Sequence, residues 1–224
     1  MAKKIKKTRK ELLKEPDQFL SSTDKAISFF TRNRSTVIAF IFGVLLITLS
    51  VFGFQSYKQL RMMKFEALYF NMEKLVKESE AKGSNPQSQL VKIRDQIDEG
   101  PQRDRASLLL ADFYFQNKEI DKAKSTYQEI INSSSGLNHK MATIGKAYVY
   151  EAMDNYEKAI DLFKMVIDSK SNFPLFQVYW SLARCHESNN DTSNALLILR
   201  EMQIKFSSPS ELEKIDKKIQ QLSS

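Results

Sequence analysis

One uninterrupted apolar run dominates the hydropathy pattern of this chain. It begins at Val37, ends at Phe54 and reads VIAFIFGVLLITLSVFGF, with only Thr48 and Ser50 polar. As a helix, the run would span roughly 27 Å, which is close to the thickness of the hydrocarbon core of a bilayer. A helix also satisfies its backbone hydrogen bonds internally, as a lipid environment requires. The pattern therefore predicts a transmembrane helix over residues 35–54.

The sequence around this run favours a membrane anchor over a cleaved signal peptide or a buried core helix. Thirty-six residues precede the run and no small-x-small cleavage site follows it, whereas a signal peptide has a short start and a shorter apolar segment. Core helices rarely continue this long without a polar face. Residues 1–34, which are rich in Lys and Arg, are predicted to form a basic cytoplasmic tail.

The pattern stays helical on the carboxyl side of the run. Apolar residues at helical spacing continue over residues 55–81, and residues 82–86 read KGSNP, which is typical of a loop. A second, shorter helix is indicated by Leu90, Val91, Ile93 and Ile97. Gly100 suits the left-handed position that follows a helix. We therefore expect residues 55–81 to continue the membrane helix without a break and residues 55–103 as a whole to form connecting helices.

Three segments within residues 104–209 repeat one pattern with a period of 36 residues. Each contains two alanines twelve positions apart and a large residue four positions after the second alanine. The alanines are Ala111 and Ala123, Ala147 and Ala159, and Ala183 and Ala195; the large residues are Tyr127, Phe163 and Leu199. Because helices pack closely only where small side chains meet, each segment is predicted to be an antiparallel helical pair. Polar turns are expected at residues 116–119, 153–155 and 188–191.

A last helix is predicted over residues 210–224. Ser210 and Glu213 match the spacing of a capping box. An apolar stripe is formed by Leu212, Ile215, Ile219 and Leu222, while Lys214, Lys217 and Lys218 lie outside it. A terminal helix with a polar outer face is what a repeat array needs to close its last unit.

The repeated pattern resembles the tetratricopeptide repeat, which places small residues at positions 8 and 20 and aromatic residues at positions 11 and 24. Tyr114 and Tyr150 match position 11, whereas His186 departs from it. The resemblance covers residues 104–209 and implies a tetratricopeptide-repeat solenoid there. Together with the apolar run and the last helix, the sequence predicts an all-α protein with one N-terminal transmembrane helix, a repeat solenoid and a C-terminal capping helix.

Charge and composition limit the function. The net charge is +7, but residues 1–36 carry ten Lys or Arg against four Asp or Glu, so the basic character belongs to the tail. The repeat region therefore lacks the excess of positive charge that nucleic-acid binding requires. The single cysteine, Cys185, excludes an intrachain disulfide. The chain contains no nucleotide-binding, zinc-protease or CxxC motif. We therefore expect no enzymatic activity, no cofactor and no metal site.

The resemblance also implies a concave groove lined by the first helix of each pair, at positions 2, 5, 9 and 12. The predicted protein-binding residues are Arg105, Asp112, Phe115, Tyr148, Glu151, Trp180, Arg184 and Glu187. This mixture of aromatic and Arg side chains suits contact with proteins. Repeat proteins that bind chaperone carboxylate tails carry Lys and Asn at positions 5 and 9, where this sequence has Leu108 and Asp112.

The layout of the whole chain is similar to the YfgM-like family of ancillary translocon subunits, which are membrane-anchored bacterial repeat proteins. The stretch MKFEALYFNMEKLV after the apolar run looks like that family's post-membrane helix, and RKELLKEPDQFL looks like the tail of related proteins. The resemblance implies a single-pass protein of the bacterial inner membrane with a periplasmic repeat domain. Its partners would be the protein-export channel and periplasmic chaperones, with the lipid bilayer around residues 37–54.

Two other functions remain open from the sequence: a structural organiser of the envelope or of the cell-division machinery, and a membrane-bound regulator that sequesters a cytoplasmic factor. The regulator requires the opposite orientation. The flanks alone do not decide, because residues 17–36 carry three Lys or Arg and residues 55–74 carry four. In the opposite orientation, however, all ten basic residues of the short tail would have to cross the membrane. The sequence therefore favours a cytoplasmic amino terminus and an exported repeat domain.

Overall fold

The computed structural model describes Asp24, residues 27–169 and residues 173–223. Within these ranges, helices are the regular elements of the chain, as predicted. Most of the basic tail predicted over residues 1–34 lies outside the described residues. By its internal contacts the chain divides into two units, Met1–Met62 and Met63–Ser224.

Helix α1 runs from Arg34 to Lys82 and contributes residues to both units. In the first unit, the apolar run of α1 is exposed almost throughout, and none of its most apolar window is buried by the described residues. The helix is long and apolar enough to cross a membrane. It ends at the predicted loop, where Gly83 has a positive φ of 65°.

The second unit continues with helices joined by short connections. They are α2 (Gln87–Asp95), α3 (Pro101–Gln116), α4 (Ile120–Ser133), α5 (Gly136–Ala152), α6 (Tyr156–Asp168), α7 (Phe176–Ser188), α8 (Thr192–Lys205) and α9 (Pro209–Ser223). Helices α3 and α4, α5 and α6, and α7 and α8 form three antiparallel pairs, and each pair packs on the next. We call them the first, second and third pair.

The same turn joins the two helices of every pair. Its second residue lies in the left-handed region, at Lys118 (φ 62°), Asp154 (φ 56°) and Asn190 (φ 59°). The next residue donates its N–H to the carbonyl five positions earlier, from Glu119 to Tyr114, from Asn155 to Tyr150 and from Asp191 to His186, each at 2.9 Å. This bond and a left-handed residue together are the Schellman motif that ends a helix. The three predicted turns are therefore confirmed, with the 36-residue period present in the backbone itself.

Small and large residues of the repeat pattern are buried between the helices. The six predicted packing alanines, Ala111, Ala123, Ala147, Ala159, Ala183 and Ala195, are all buried, and five of them have no exposed surface. The large residues that follow, Tyr127, Phe163 and Leu199, are buried as well. The alanines let the helix backbones approach, and the large side chains fill the space towards the neighbouring pair.

The stack extends beyond the three predicted pairs at its amino-terminal end. Phe65 and Met72 of α1 and Leu90 of α2 are buried in one cluster with Ala106 and Leu110 of α3. The second half of α1 and helix α2 therefore pack against the core of the first pair. Their sequence lacks the paired alanines, so the 36-residue pattern does not reveal them.

Helix α9 extends the stack at the other end. Ile215 lies 36 residues after Tyr179 and is, like it, fully buried. Ile219 and Leu222 pack on the same cluster, which also holds Leu199. Three of the four residues of the predicted stripe, Ile215, Ile219 and Leu222, therefore cover the third pair.

Two sequence-based predictions about helix ends are wrong for one physical reason. Gly100 has φ 123° and ψ −167°, which is not the left-handed helical region, and it precedes α3 rather than ending α2. Ser210 cannot start a capping box, because α9 already begins at Pro209. In both cases a proline occupies the first helical position, where its missing N–H costs nothing and its fixed φ suits the helix. The expected boundary at residue 103 consequently falls inside α3, and the one at residue 209 falls at the start of α9.

Candidate functional site

The predicted groove residues lie on the first helices of the three pairs. Arg105, Asp112 and Phe115 are on α3, Tyr148 and Glu151 on α5, and Trp180, Arg184 and Glu187 on α7. Arg105, Asp112 and Arg184 are exposed, and the other five are half-buried. Several of them contact one another or an adjoining helix.

Glu151 and Arg184 join the second and third pairs. The Arg184 guanidinium donates from Nε to Glu151 Oε1 at 2.6 Å and from Nη2 to Oε2 at 2.8 Å. Two parallel bonds of this kind fix both the distance and the orientation of the partners. The hydrogen bond to Glu151 raises the pKa of Arg184, so its positive charge is fully retained. The structure thus brings these two predicted residues together as a mutual ion pair.

Arg105 contacts α1 instead of another predicted groove residue. Its Nη1 lies 3.7 Å from Glu66 Oε1. Its guanidinium carbon also lies 4.2 Å from the centre of the Tyr69 ring, within the range of a cation–π contact. The second half of α1 therefore covers part of the groove surface of the first pair. The sequence did not reveal this contact, because Glu66 and Tyr69 lie outside the repeat pattern.

Helix α9 covers two predicted groove residues of the third pair. Lys218 Nζ donates to Glu187 Oε1 at 2.8 Å, and Lys214 Nζ lies 4.1 Å from the centre of the Trp180 ring. Trp180 also stacks on Phe176, with 6.2 Å between the ring centres. Lys214 and Lys218 thus face the third pair, which corrects the prediction that they stay outside. A cavity of about 60 Å³ remains beside Trp180, lined by Ala183, Arg184, Leu199, Lys218 and Leu222.

Asp112 is held by a buried tyrosine of the same pair. The Tyr127 hydroxyl donates a short hydrogen bond to Asp112 Oδ1. The Tyr127 ring lies against Gly145 of α5, where a Cβ atom would come within 2.4 Å of Cε1. A glycine at this point of α5 is therefore required for the ring to pass. Desolvation raises the pKa of Asp112, and the bond from Tyr127 partly opposes the rise.

Tyr148 and Phe115 form the remaining aromatic surface. Tyr148 makes an edge-to-face contact with Phe163 at 5.4 Å between ring centres, and its hydroxyl accepts from Ser181 Oγ at 3.3 Å. Phe115 packs at the margin of the core of the first pair. Both side chains therefore support the stack and keep part of their surface available to a ligand.

Cys185 and His186 are adjacent and buried in the third pair. Burial raises the pKa of the Cys185 thiol to about 12, so the thiol is protonated at neutral pH and is not a nucleophile. The adjacent His186 contacts Asp191, with 2.9 Å between Nδ1 and Oδ2. Among the described residues, no group of three His, Cys, Asp or Glu side chains could hold a metal ion. The groove offers aromatic, apolar and charged contacts, which serve binding.

Stacked helical pairs with alanines at their crossings define an all-helical repeat solenoid. Residues 27–173 match the family described as a tetratricopeptide repeat-like domain. The chain therefore belongs to the tetratricopeptide repeat-like domain family. The match begins upstream of residue 104, where the sequence pattern starts, and includes the apolar run and the second half of α1.

Two solved structures of similar fold carry TPR-like repeats. One is a candidate kinesin light chain from Podosopora anserina with nearly identical TPR-like repeats, with a TM-score of 0.51, 17% identity, and coverage of 68% of this chain and 89% of that one. A variant of the same protein gives a TM-score of 0.52 at 17% identity, covering 68% and 88%. No curated protein matches this chain. Arrays of this fold are typically non-enzymatic scaffolds that bind other proteins.

Proposed function

We propose that this protein is a single-pass membrane scaffold whose repeat array binds other proteins. The observation that carries the membrane anchor is the exposure of the apolar run. Ile38, Phe40 and Phe52 expose 66%, 72% and 69% of their surfaces. A contiguous exposed patch of this size is unfavourable in water and favourable in lipid. The family match supports the same arrangement, because it includes the apolar run and the first two pairs.

Within this class, we propose a place beside the protein-export channel of a bacterial inner membrane, where the array assists chaperone hand-off. The resemblance of the whole layout to the YfgM-like translocon subunits supports this assignment. The orientation that it requires has the amino terminus in the cytoplasm and the array in the periplasm. Ten basic residues in the first 36 favour that orientation, because moving each charge outward costs about 2.3 kcal/mol per 100 mV.

Site-specific photo-crosslinking in native membranes tests the partners. A crosslinking amino acid at Met141, which occupies groove position 2 of the second repeat on α5, is compared with one at Met165 on α6 of the same pair. Both methionines are exposed, at 43% and 57%, so the two sites differ in location rather than accessibility. We expect export-channel subunits or chaperones to crosslink from Met141 and not from Met165. Products drawn from the division machinery would support the envelope organiser instead.

Protease accessibility tests the orientation. In spheroplasts with an intact inner membrane, we expect added protease to digest the array while a tag at the amino terminus stays protected. Complete protection of the array that ends when detergent is added would reverse the orientation. That result would favour the regulator of a cytoplasmic factor.

A further inference from the structure

Most charged side chains of the groove are neutralised within the chain. Arg105 lies 3.7 Å from Glu66, Arg184 forms its two bonds to Glu151, and Glu187 accepts from Lys218. Each of these ion pairs links the first helix of a helical pair to a neighbouring helix outside that pair. A ligand would have to break an existing ion pair to use any of these charges.

Asp112 is a groove charge of a different kind. Its carboxylate accepts a hydrogen bond from the neutral Tyr127 hydroxyl. Within the part of the chain that the structure describes, no Lys, Arg or His forms an ion pair with it. Burial raises the pKa of this carboxyl group, and the hydrogen bond from Tyr127 lowers it. The side chain nevertheless keeps exposed surface, so a ligand can reach it.

The side chains on either side of Asp112 are apolar. Leu108 lies one turn before it and Phe115 one turn after it on the same face of α3. Both are partly buried against the core of the first pair, which holds them in place and leaves part of each exposed. An unpaired carboxylate between two apolar contacts is complementary to a basic side chain with apolar neighbours.

We propose that the first pair binds a peptide segment of a partner protein through a Lys or Arg side chain that pairs with Asp112. Apolar side chains of the same segment contact Leu108 and Phe115. This inference rests on the proposed function as a protein-binding scaffold and specifies the chemistry of the ligand. The bound cation offsets the desolvation of the carboxylate, which the hydrogen bond from Tyr127 compensates only in part.

A purely structural role for Asp112 is the competing explanation, because Tyr127 needs an acceptor for its hydroxyl group. The variant Asp112→Asn separates the two roles. Asparagine Oδ1 still accepts from Tyr127, whereas the negative charge is lost. Asp161→Asn is the matched control, since Asp161 is an exposed carboxylate on α6, the second helix of its pair.

The experiment uses the full chain in micelles of an uncharged detergent and a displayed library of random linear peptides. We expect the wild-type chain and Asp161→Asn to enrich peptides with Lys or Arg at one fixed position flanked by apolar residues. An enriched peptide, synthesised and titrated, should bind Asp112→Asn about 10-fold more weakly, as expected for a hydrogen bond to a charged group. Replacing its basic residue by Gln should weaken binding to wild type equally and leave binding to Asp112→Asn unchanged.

Each other outcome contradicts the inference in a distinguishable way. Enriched peptides that bind wild type and Asp112→Asn alike would overturn the role of Asp112 and leave the scaffold function standing. Selection of acidic peptides would have the same meaning. A dimer of the chain that Asp112→Asn dissociates would identify a second copy as the occupant. Failure to enrich any peptide would overturn the inference, while the crosslinks from Met141 would still decide the proposed function.

Discussion

The first and third pairs share the same helix packing and the same turn, but they differ in the surface that they expose in the groove. Both have buried alanines at the helix crossing and a left-handed residue in the turn, at Lys118 and Asn190. On the groove side of the third pair, Arg184 and Glu187 have charged partners and Trp180 lies under Lys214 of α9. On the groove side of the first pair, Asp112 is bonded to a neutral hydroxyl group and stays exposed.

This difference separates the residues that build the stack from those that can carry its specificity. The positions between helices must be small or large in a fixed order, since the backbones otherwise cannot approach. The groove positions are free of that constraint, so one repeat can hold an unpaired charge and another a closed ion pair. The first pair is therefore the better candidate for ligand recognition, and the third for attachment of α9.

The largest expected effect comes from removing a buried side chain from the core of the first pair. Tyr127→Ala should lower the free energy of unfolding by about 3–5 kcal/mol, because the ring fills the space between α3, α4 and α5. Leu199→Ala at the same position of the third pair removes a smaller side chain and should cost less. Urea unfolding followed by circular dichroism measures both. A larger loss for Leu199→Ala would show that the first pair is not packed around Tyr127.

Overpacking should also distinguish the two pairs. Ala111→Leu should cost about 1–3 kcal/mol, since Ala111 has no exposed surface and the helices cannot separate freely. Ala183→Leu should cost less, because Ala183 borders the cavity beside Trp180 and the added carbons have space there. Thermal melts of the two variants in the same detergent give the comparison. Equal losses would mean that the cavity does not accept the larger side chain.

A change in the turns should have a smaller effect and the opposite sign. Lys118 adopts a left-handed φ of 62° without the local hydrogen bonding that lets Asn tolerate this conformation. Lys118→Gly should therefore stabilise the first pair by up to about 1 kcal/mol, whereas Asn190→Gly should change the third pair very little. Melting temperatures are the measurement. Destabilisation by Lys118→Gly would indicate that the lysine side chain contributes contacts that outweigh its backbone strain.

The smallest effect concerns the pH dependence of the first pair. Because the pKa of Asp112 is raised above 3.8 in the folded chain, its protonation favours folding at low pH, and this contribution is lost as the pH rises through the folded-state pKa. Asp112→Asn should therefore melt at or slightly above the wild-type temperature at pH 7, and the difference should shrink towards pH 4. Asp161→Asn supplies the control profile. A variant that is clearly less stable than wild type at pH 7 would show that the charge itself supports the fold.

The sequence was sufficient for the parts of the fold that depend on local spacing. The paired alanines and the polar turns lie within one pair, so the 36-residue period predicted the helix pairing and the turns correctly. The sequence analysis places the start of the repeats at residue 104 and the start of the last helix at residue 210, whereas the helices begin at Pro101 and Pro209. Proline at the first helical position was the available signal.

The groove contacts were less predictable, because they join residues that no local pattern connects. Glu66 reaches Arg105 from 39 positions earlier in the chain, and Lys218 reaches Glu187 from 31 positions later. Whether a charged residue on a helix is free or paired depends on how the units stack, and a single sequence does not contain that geometry. Asp112 differs from the other groove charges only through the ion pairs that those charges form in the folded chain.

Trp180 gives the molecule an intrinsic fluorophore at the contact with α9. It is the single tryptophan of the chain, and its indole contacts both Phe176 and the Lys214 ammonium group. Indole emission shifts to longer wavelength when the ring becomes hydrated. Detachment of the last helix would therefore change the emission spectrum of the unlabelled protein, and rapid-mixing fluorescence could time that detachment while a ligand binds elsewhere in the array.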